Sequence, residues 1–142
     1  MAELLLILNV AGERVAFPAA EVESVIEVDE IVPVPGAAPY VAGLASLRSR
    51  VLTVVDCRIA LDCPPGPRSE AVVVPSGGHF YALLVDGVED VVDSAGPARS
   101  EDLAFGPAWA RVALGVVEAG GDLLLLVDPH ALVAGAPARI AA

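Results

Sequence analysis

The chain has 142 residues, one ordinary domain by length, and a domain of that size buries about two-thirds of the surface its unfolded form exposes. Hydrophobic residues make up 56%, and the net charge is −11 with no lysine, all eight cations being arginines; globular domains reach roughly 45–50% apolar with glycine counted. That balance excludes a phosphate-binding face for nucleic acid and attraction to an anionic membrane surface. The longest purely apolar run, Phe80 to Val85, has six residues, against the roughly 20 a spanning helix needs. Met1-Ala2-Glu3 lacks the positive start of a signal peptide. The two cysteines, Cys57 and Cys63, are spaced C-x5-C, neither a redox pair nor a zinc knuckle. Two reduced thiols in a cytoplasmic protein are expected, in preference to a disulfide.

In chain order the pattern reads as strands. Leu4 to Val10 is mostly apolar, Ala11-Gly12 is a turn signal, and Glu13 to Phe17 runs from polar to apolar, which predicts a hairpin. Glu21 to Val28 sets Val22, Val25, Ile26 and Val28 among acids; Pro33, Pro35, Gly36 and Pro39 then break regular structure. Gly43 to Leu47 and Val51 to Val55 predict a second hairpin, joined by Arg48-Ser49-Arg50. Asp56 is placed to cap a short helix over Cys57 to Leu61, its carboxylate accepting the unpaired N–H groups of the first turn. Pro64-Pro65-Gly66-Pro67 reads as a stiff linker.

The second half starts again, with strands at Ala71 to Val74, His79 to Val85 and Gly87 to Val92. Gly96 to Trp109 reads as a long loop, Val112 to Val117 and Leu123 to Val127 as a hairpin, and Asp128-Pro129 as the opening of a short helix. A shift of 66 lays Gly12 on Gly78, Ala16 on Ala82, Val22 on Val88, Glu23 on Glu89 and Val25 on Val91; a shift of 72 lays Gly43 on Gly115, Leu52 on Leu124, Val55 on Val127 and Asp56 on Asp128. The expectation is a tandem of two small antiparallel β-barrels, each closing with an Asp-capped helical turn, because closure removes exposed sheet edges.

Catalytic patterns are missing. There is no G-x-S-x-G, H-E-x-x-H or P-loop, and no lysine for a Schiff base. No calcium loop or zinc spacing appears, so no metal and no cofactor is expected. His79 reads as a solvated turn residue, and His130 sits two residues after Asp128 in the C-terminal helix. A nucleophilic pair of Cys57 with a histidine stays open, since such partners meet in space rather than in sequence. Two charge groups stand out: Arg48, Arg50 and Arg58, and the acids Glu21, Glu23, Glu27, Asp29 and Glu30. Most fit solvated strand edges. Arg48 sits at a hairpin tip, either clamping the adjoining loop or reaching a partner.

Val41 to Arg58, V-A-G-L-A-S-L-R-S-R-V-L-T-V-V-D-C-R, resembles the signature segment of CheW-like domains, V-x-G-[apolar]-[apolar]-N-L-R-G leading into P-V-[apolar]-D-L-R. Val15 to Val28, the P-V-P-G-A-A-P stretch after it, Leu83 to Val92 and Leu125 to Leu132 resemble the family's other segments, in order, over nearly the whole chain. The resemblance implies an all-β fold of two intertwined SH3-like five-stranded antiparallel β-barrels with short helical turns. It implies a single domain over 1–142, with subdomains at roughly 13–67 and 71–133 and ends exchanged between barrels.

It also implies a non-catalytic cytoplasmic adaptor, monomeric in isolation. Its partners would be the cytoplasmic tip of methyl-accepting chemoreceptors and the regulatory domain of a CheA-type histidine kinase, by helix-in-groove recognition. Val22, Gly43 and Arg48 match positions implicated in family contacts. Ser24 stands where the family often has glutamate, and Val88 and Val91 are expected on a second groove wall. Ser46 and Ser49 replace the asparagine and glycine of N-L-R-G, and Thr53 and Cys57 replace the proline and leucine that follow. Those departures leave two alternatives beside the coupling adaptor: an orphan CheW-like module of a non-chemotaxis pathway, and a small Cys/His hydrolase.

Overall fold

The structure is a computed structural model that describes residues 3–61, 63–64, 66, 70–94, 96 and 106–134. Ten strands and three short helices follow one another as β1 (Leu4–Val10), β2 (Glu13–Pro18), β3 (Ser24–Glu27), β4 (Val41–Leu47), β5 (Arg50–Asp56), α1 (Cys57–Ala60), β6 (Glu70–Ser76), β7 (His79–Val85), β8 (Gly87–Asp93), α2 (Pro107–Val112), β9 (Ala113–Ala119), β10 (Asp122–Val127) and α3 (Pro129–Val133). A single 3-10 turn, Ala19–Glu21, joins β2 to β3.

The strands form two five-stranded sheets, in the orders β8-β1-β2-β10-β9 and β3-β6-β7-β5-β4. These are the two intertwined SH3-like barrels of an all-β fold. We call them the β2-centred and β7-centred barrels. A bridge brings the ends of each sheet together: Val32, in the chain after β3, pairs with Leu44 on β4, and Ser94, just after β8, pairs with Ala119 on β9. Pairing is antiparallel except at the β2–β10 and β5–β7 junctions, which are parallel.

Those two parallel junctions are where the halves of the chain interlock. The shift of 66 lays β1 on β6 residue for residue, and the shift of 72 lays β4 on β9. Under these shifts the pair Leu126↔Ala16 corresponds to Val54↔Ala82. Each half gives its first hairpin to one barrel and its last three strands to the other. The repeat sets β1–β5 against β6–β10, and each sheet draws on both, one half giving a hairpin and the other three strands. A hairpin closes through a two-residue turn, but strands from different halves meet only through long connections, and that geometry permits parallel pairing.

The exchange also explains the apolar runs. On β1, Leu5 and Ile7 fill the β2-centred barrel, while Leu6, Leu8 and Val10 join the core shared by both barrels. Leu84 and Ala82 fill the β7-centred barrel, while Leu83 and Val85 join the shared core. Strands buried on both faces read as continuous apolar stretches rather than alternating ones. Phe17 is fully buried in the shared core, as are Cys57 and Leu132, with Trp109 of α2 beside them.

The caps fall where the sequence placed them. The Asp56 carboxylate accepts from Arg58 N at 3.0 Å and Ile59 N at 3.4 Å, and Asp128 accepts from His130 N at 3.0 Å. Helix α2 differs from the expected loop and strand: it takes Pro107 at its first turn and continues through Val112. Proline preorganises a first turn and lacks only an N–H that has no intrahelical partner there. The linker residues Pro65 and Pro67, and the loop 97–105, lie outside the described residues. Among the described residues no helix is long and apolar enough to cross a membrane.

Candidate protein-binding cleft

At one end of the β7-centred barrel, β3 and the β4–β5 turn enclose a cleft of about 390 Å³ lined by Glu23, Ser24, Val25, Ile26, Leu47, Arg48 and Arg50. The turn is the unusual part. Arg48 and Ser49 both have left-handed backbone, at φ 52° and 66°, where the corresponding turn of β9–β10 has Gly120 and Gly121 at 58° and 85°. The two-residue hairpin needs positive φ at both positions to match the twist of its strands. Serine keeps the shape that glycine would take more cheaply, so the turn has the same geometry as its glycine counterpart and holds local strain.

Behind the turn, Arg50 is fixed from two sides. Its guanidinium forks onto both Glu23 carboxylate oxygens and lies 3.8 Å from the centre of the Phe80 ring. A planar cation suits both contacts. Arg48 differs: it is exposed and makes no hydrogen bond or ion pair with any described residue. The cleft thus combines Ser24, Val25, Ile26 and Leu47 with one neutralised charge pair and with Arg48, which has no partner among the described residues.

The structure brings Ser24 and Arg48 into this one cleft. Val22 precedes it in the chain, but its half-buried side chain packs on the shared core, as does its repeat counterpart Val88. Gly43 is buried; a Cβ there would stand 2.2 Å from the Val32 carbonyl oxygen, so this glycine permits the β3–β4 bridge and offers no contact surface. Val91 is 50% exposed on β8, in the other barrel. Neither Val88 nor Val91 lines the cleft. Sequence reading missed Val25, Ile26 and Leu47 as part of its lining. Val25 and Ile26 are neighbours on β3 and point to opposite faces, Val25 outward and Ile26 onto the core of the β7-centred barrel, and only the barrel's closure brings β3 beside the β4–β5 turn.

The thiols and histidines assemble no nucleophile. Cys57 is fully buried, and that burial, with Asp56 and Asp86 nearby, holds its thiol pKa far above the ordinary range. His130 has both ring nitrogens engaged, Nδ1 at 3.1 Å from Ser76 Oγ and Nε2 at 2.8 Å from Glu21 Oε1. Among the described residues no group of three His, Cys, Asp or Glu side chains is placed to hold a metal.

Comparison with known families decides the assignment: the CheW-like domain matches residues 4–136. The chain belongs to the CheW-like domain family. The crystal structure of the scaffolding protein TtCheW from Thermoanaerobacter tengcongensis superposes with a TM-score of 0.78 at 16% identity, covering 89% of each chain. At that identity the likeness shows the shared fold. The comparison with curated proteins returned no match. CheW-like domains are a non-catalytic coupling and scaffold family, so this CheW-like chain is an adaptor by family and not a hydrolase.

Proposed function

We propose that this chain couples the cytoplasmic tip of a methyl-accepting chemoreceptor to the regulatory domain of a CheA-type histidine kinase, in the cytoplasm, and that the cleft at the β4–β5 turn is a contact surface. The observation that carries this reading is Arg48: a strained turn holds it in the lining of the cleft, beside the exposed Val25, with no intramolecular partner among the described residues. A clamping arginine would be hydrogen-bonded within the fold, as Arg50 and Arg58 are. An unpaired guanidinium beside exposed apolar surface fits a protein partner that brings a carboxylate and an apolar side chain. The test is a pull-down of purified receptor tip and CheA regulatory domain. Wild type captures both, and Arg48→Ala loses at least one; equal capture by both forms rejects the cleft.

A second reading, a module serving a different pathway, is favoured by Ser49, whose left-handed φ of 66° replaces the family's glycine at the contact turn. Under that reading Ser46→Asn with Ser49→Gly leaves receptor-dependent kinase activation unchanged. Under the first it raises it.

A further inference from the structure

Each barrel crossover is tied down by a residue of the short helix that closes one half of the repeat. On α1, Arg58 forks onto Asp86, with Nε at 3.0 Å and Nη2 at 2.9 Å from its two oxygens. Asp86 is the crossover residue between β7 and β8, and its carboxylate also accepts from Gly12 N, in the β1–β2 turn, at 2.9 Å. On α3, the shift of 72 puts His130 in the place of Arg58. Its imidazole reaches Glu21, in the crossover between β2 and β3, and Ser76, at the end of β6 beside the β6–β7 turn. The two ties therefore have one design: helix, crossover, and hairpin end of the opposite barrel. They differ in chemistry, because a guanidinium is always charged and the imidazole is charged only when protonated.

We propose that His130 is a positioning residue for the binding cleft: with Glu21 and Ser76 it forms a proton-dependent clamp that sets the β3 wall. Glu21 ends the 3-10 turn, and Glu23, two residues on, begins the cleft lining and donates to Val73 O at 2.8 Å. With the imidazole protonated, the Glu21 contact is a charge-assisted hydrogen bond. With it neutral, the contact keeps the hydrogen bond and loses the ion pair. The elements packed on α3 bring other charged or titratable groups. Arg111 of α2 donates to the Ala60 and Ala131 carbonyls, and Glu70 of β6 accepts from Val88 N. Asp128 accepts from the His130 backbone, and β7 carries His79 and Tyr81. Among the described residues, Glu21 is the charged group within hydrogen-bond distance of the ring.

The importance of the clamp for partner binding rests on the proposed adaptor role, but the clamp itself is read without a partner. Hydrogen exchange of the Glu23 amide, expressed as a protection factor, reports fraying of the first β3–β6 bond. Half-exposed ion pairs contribute little, so protection in wild type is expected to be about three- to fivefold higher near pH 6 than near pH 8, the interval in which histidine changes charge. His130→Arg, which copies the other clamp, keeps high protection at both pH values. Glu21→Gln preserves the packing and removes the response. The Asp86 amide, bonded to Asn9 O at 2.9 Å beside the other clamp, stays constant throughout. A pH response that persists in Glu21→Gln, or none in wild type, overturns the proposal. Loss of receptor binding by wild type would count against the adaptor role alone.

Discussion

Replacing Gly43 by alanine tests whether the β3–β4 bridge closes the β7-centred barrel. Gly43 has φ 149°, and its added Cβ would meet the Val32 carbonyl oxygen at 2.2 Å and Ile31 Cγ2 at 2.8 Å, where real contacts stay above 3.0 Å. The carbonyl belongs to backbone and cannot rotate aside. Its retreat breaks the reciprocal pair Val32 N to Leu44 O at 2.8 Å and Leu44 N to Val32 O at 2.9 Å. Two such bonds contribute about 1–3 kcal/mol net, and a non-glycine residue forced into that backbone costs about 1–3 kcal/mol more. A loss of about 4 kcal/mol is expected, a large part of the roughly 5–15 kcal/mol that holds a domain folded. Equilibrium urea unfolding, followed by the fluorescence of the single tryptophan, Trp109, measures it. Gly36→Ala is the control. Its φ is 79° but nothing lies within 4 Å of the added Cβ, so it should cost only about 1 kcal/mol of backbone strain. A Gly43→Ala loss below about 1 kcal/mol, or one equal to that of Gly36→Ala, would refute the steric argument.

Ser49→Gly should raise stability by about 0.5–1 kcal/mol in the same unfolding assay, because it relieves a left-handed serine without touching a contact. Asp56→Ala should lower it by about 2 kcal/mol, since the buried carboxylate caps two N–H groups of α1. Asp86→Ala removes the carboxylate under the Arg58 guanidinium and frees Gly12 N, and should cost about 1.5–3 kcal/mol. In thiol labelling at neutral pH, half-buried Cys63 should react in the native protein while fully buried Cys57, its thiol held far above the ordinary range, reacts only at the rate of unfolding. Equal labelling of both thiols would contradict the packing described for α1.

Much of the fold was written in local chemistry. The glycine pairs Gly77-Gly78 and Gly120-Gly121 mark turns, and Asp56 and Asp128 mark helix starts, because each satisfies a backbone need within a few residues. The repeat was visible as offsets of 66 and 72. The exchange of hairpins was not, since nothing local distinguishes β1 paired with β8 from β1 paired within its own half. Helix α2 was missed because Pro107 opens it straight after a loop and its six residues are too few to show a helical period. Of the residues lining the candidate cleft, Arg48 and Ser24 are ones that the family pattern singles out in the sequence. Their junction with Val25, Ile26 and Leu47 depends on closure of the barrel, which brings together residues more than twenty positions apart. His130 read as an unremarkable helix residue because its partners, Glu21 and Ser76, lie 109 and 54 positions away.

The most direct measurement of coupling is receptor control of kinase autophosphorylation in a mixture of receptor tip, CheA-type kinase and this protein. The adaptor account predicts that wild type makes autophosphorylation depend on the receptor, and that Arg48→Ala, folded to the same stability, does so far less. Receptor-independent autophosphorylation with well-folded wild type present would contradict the account.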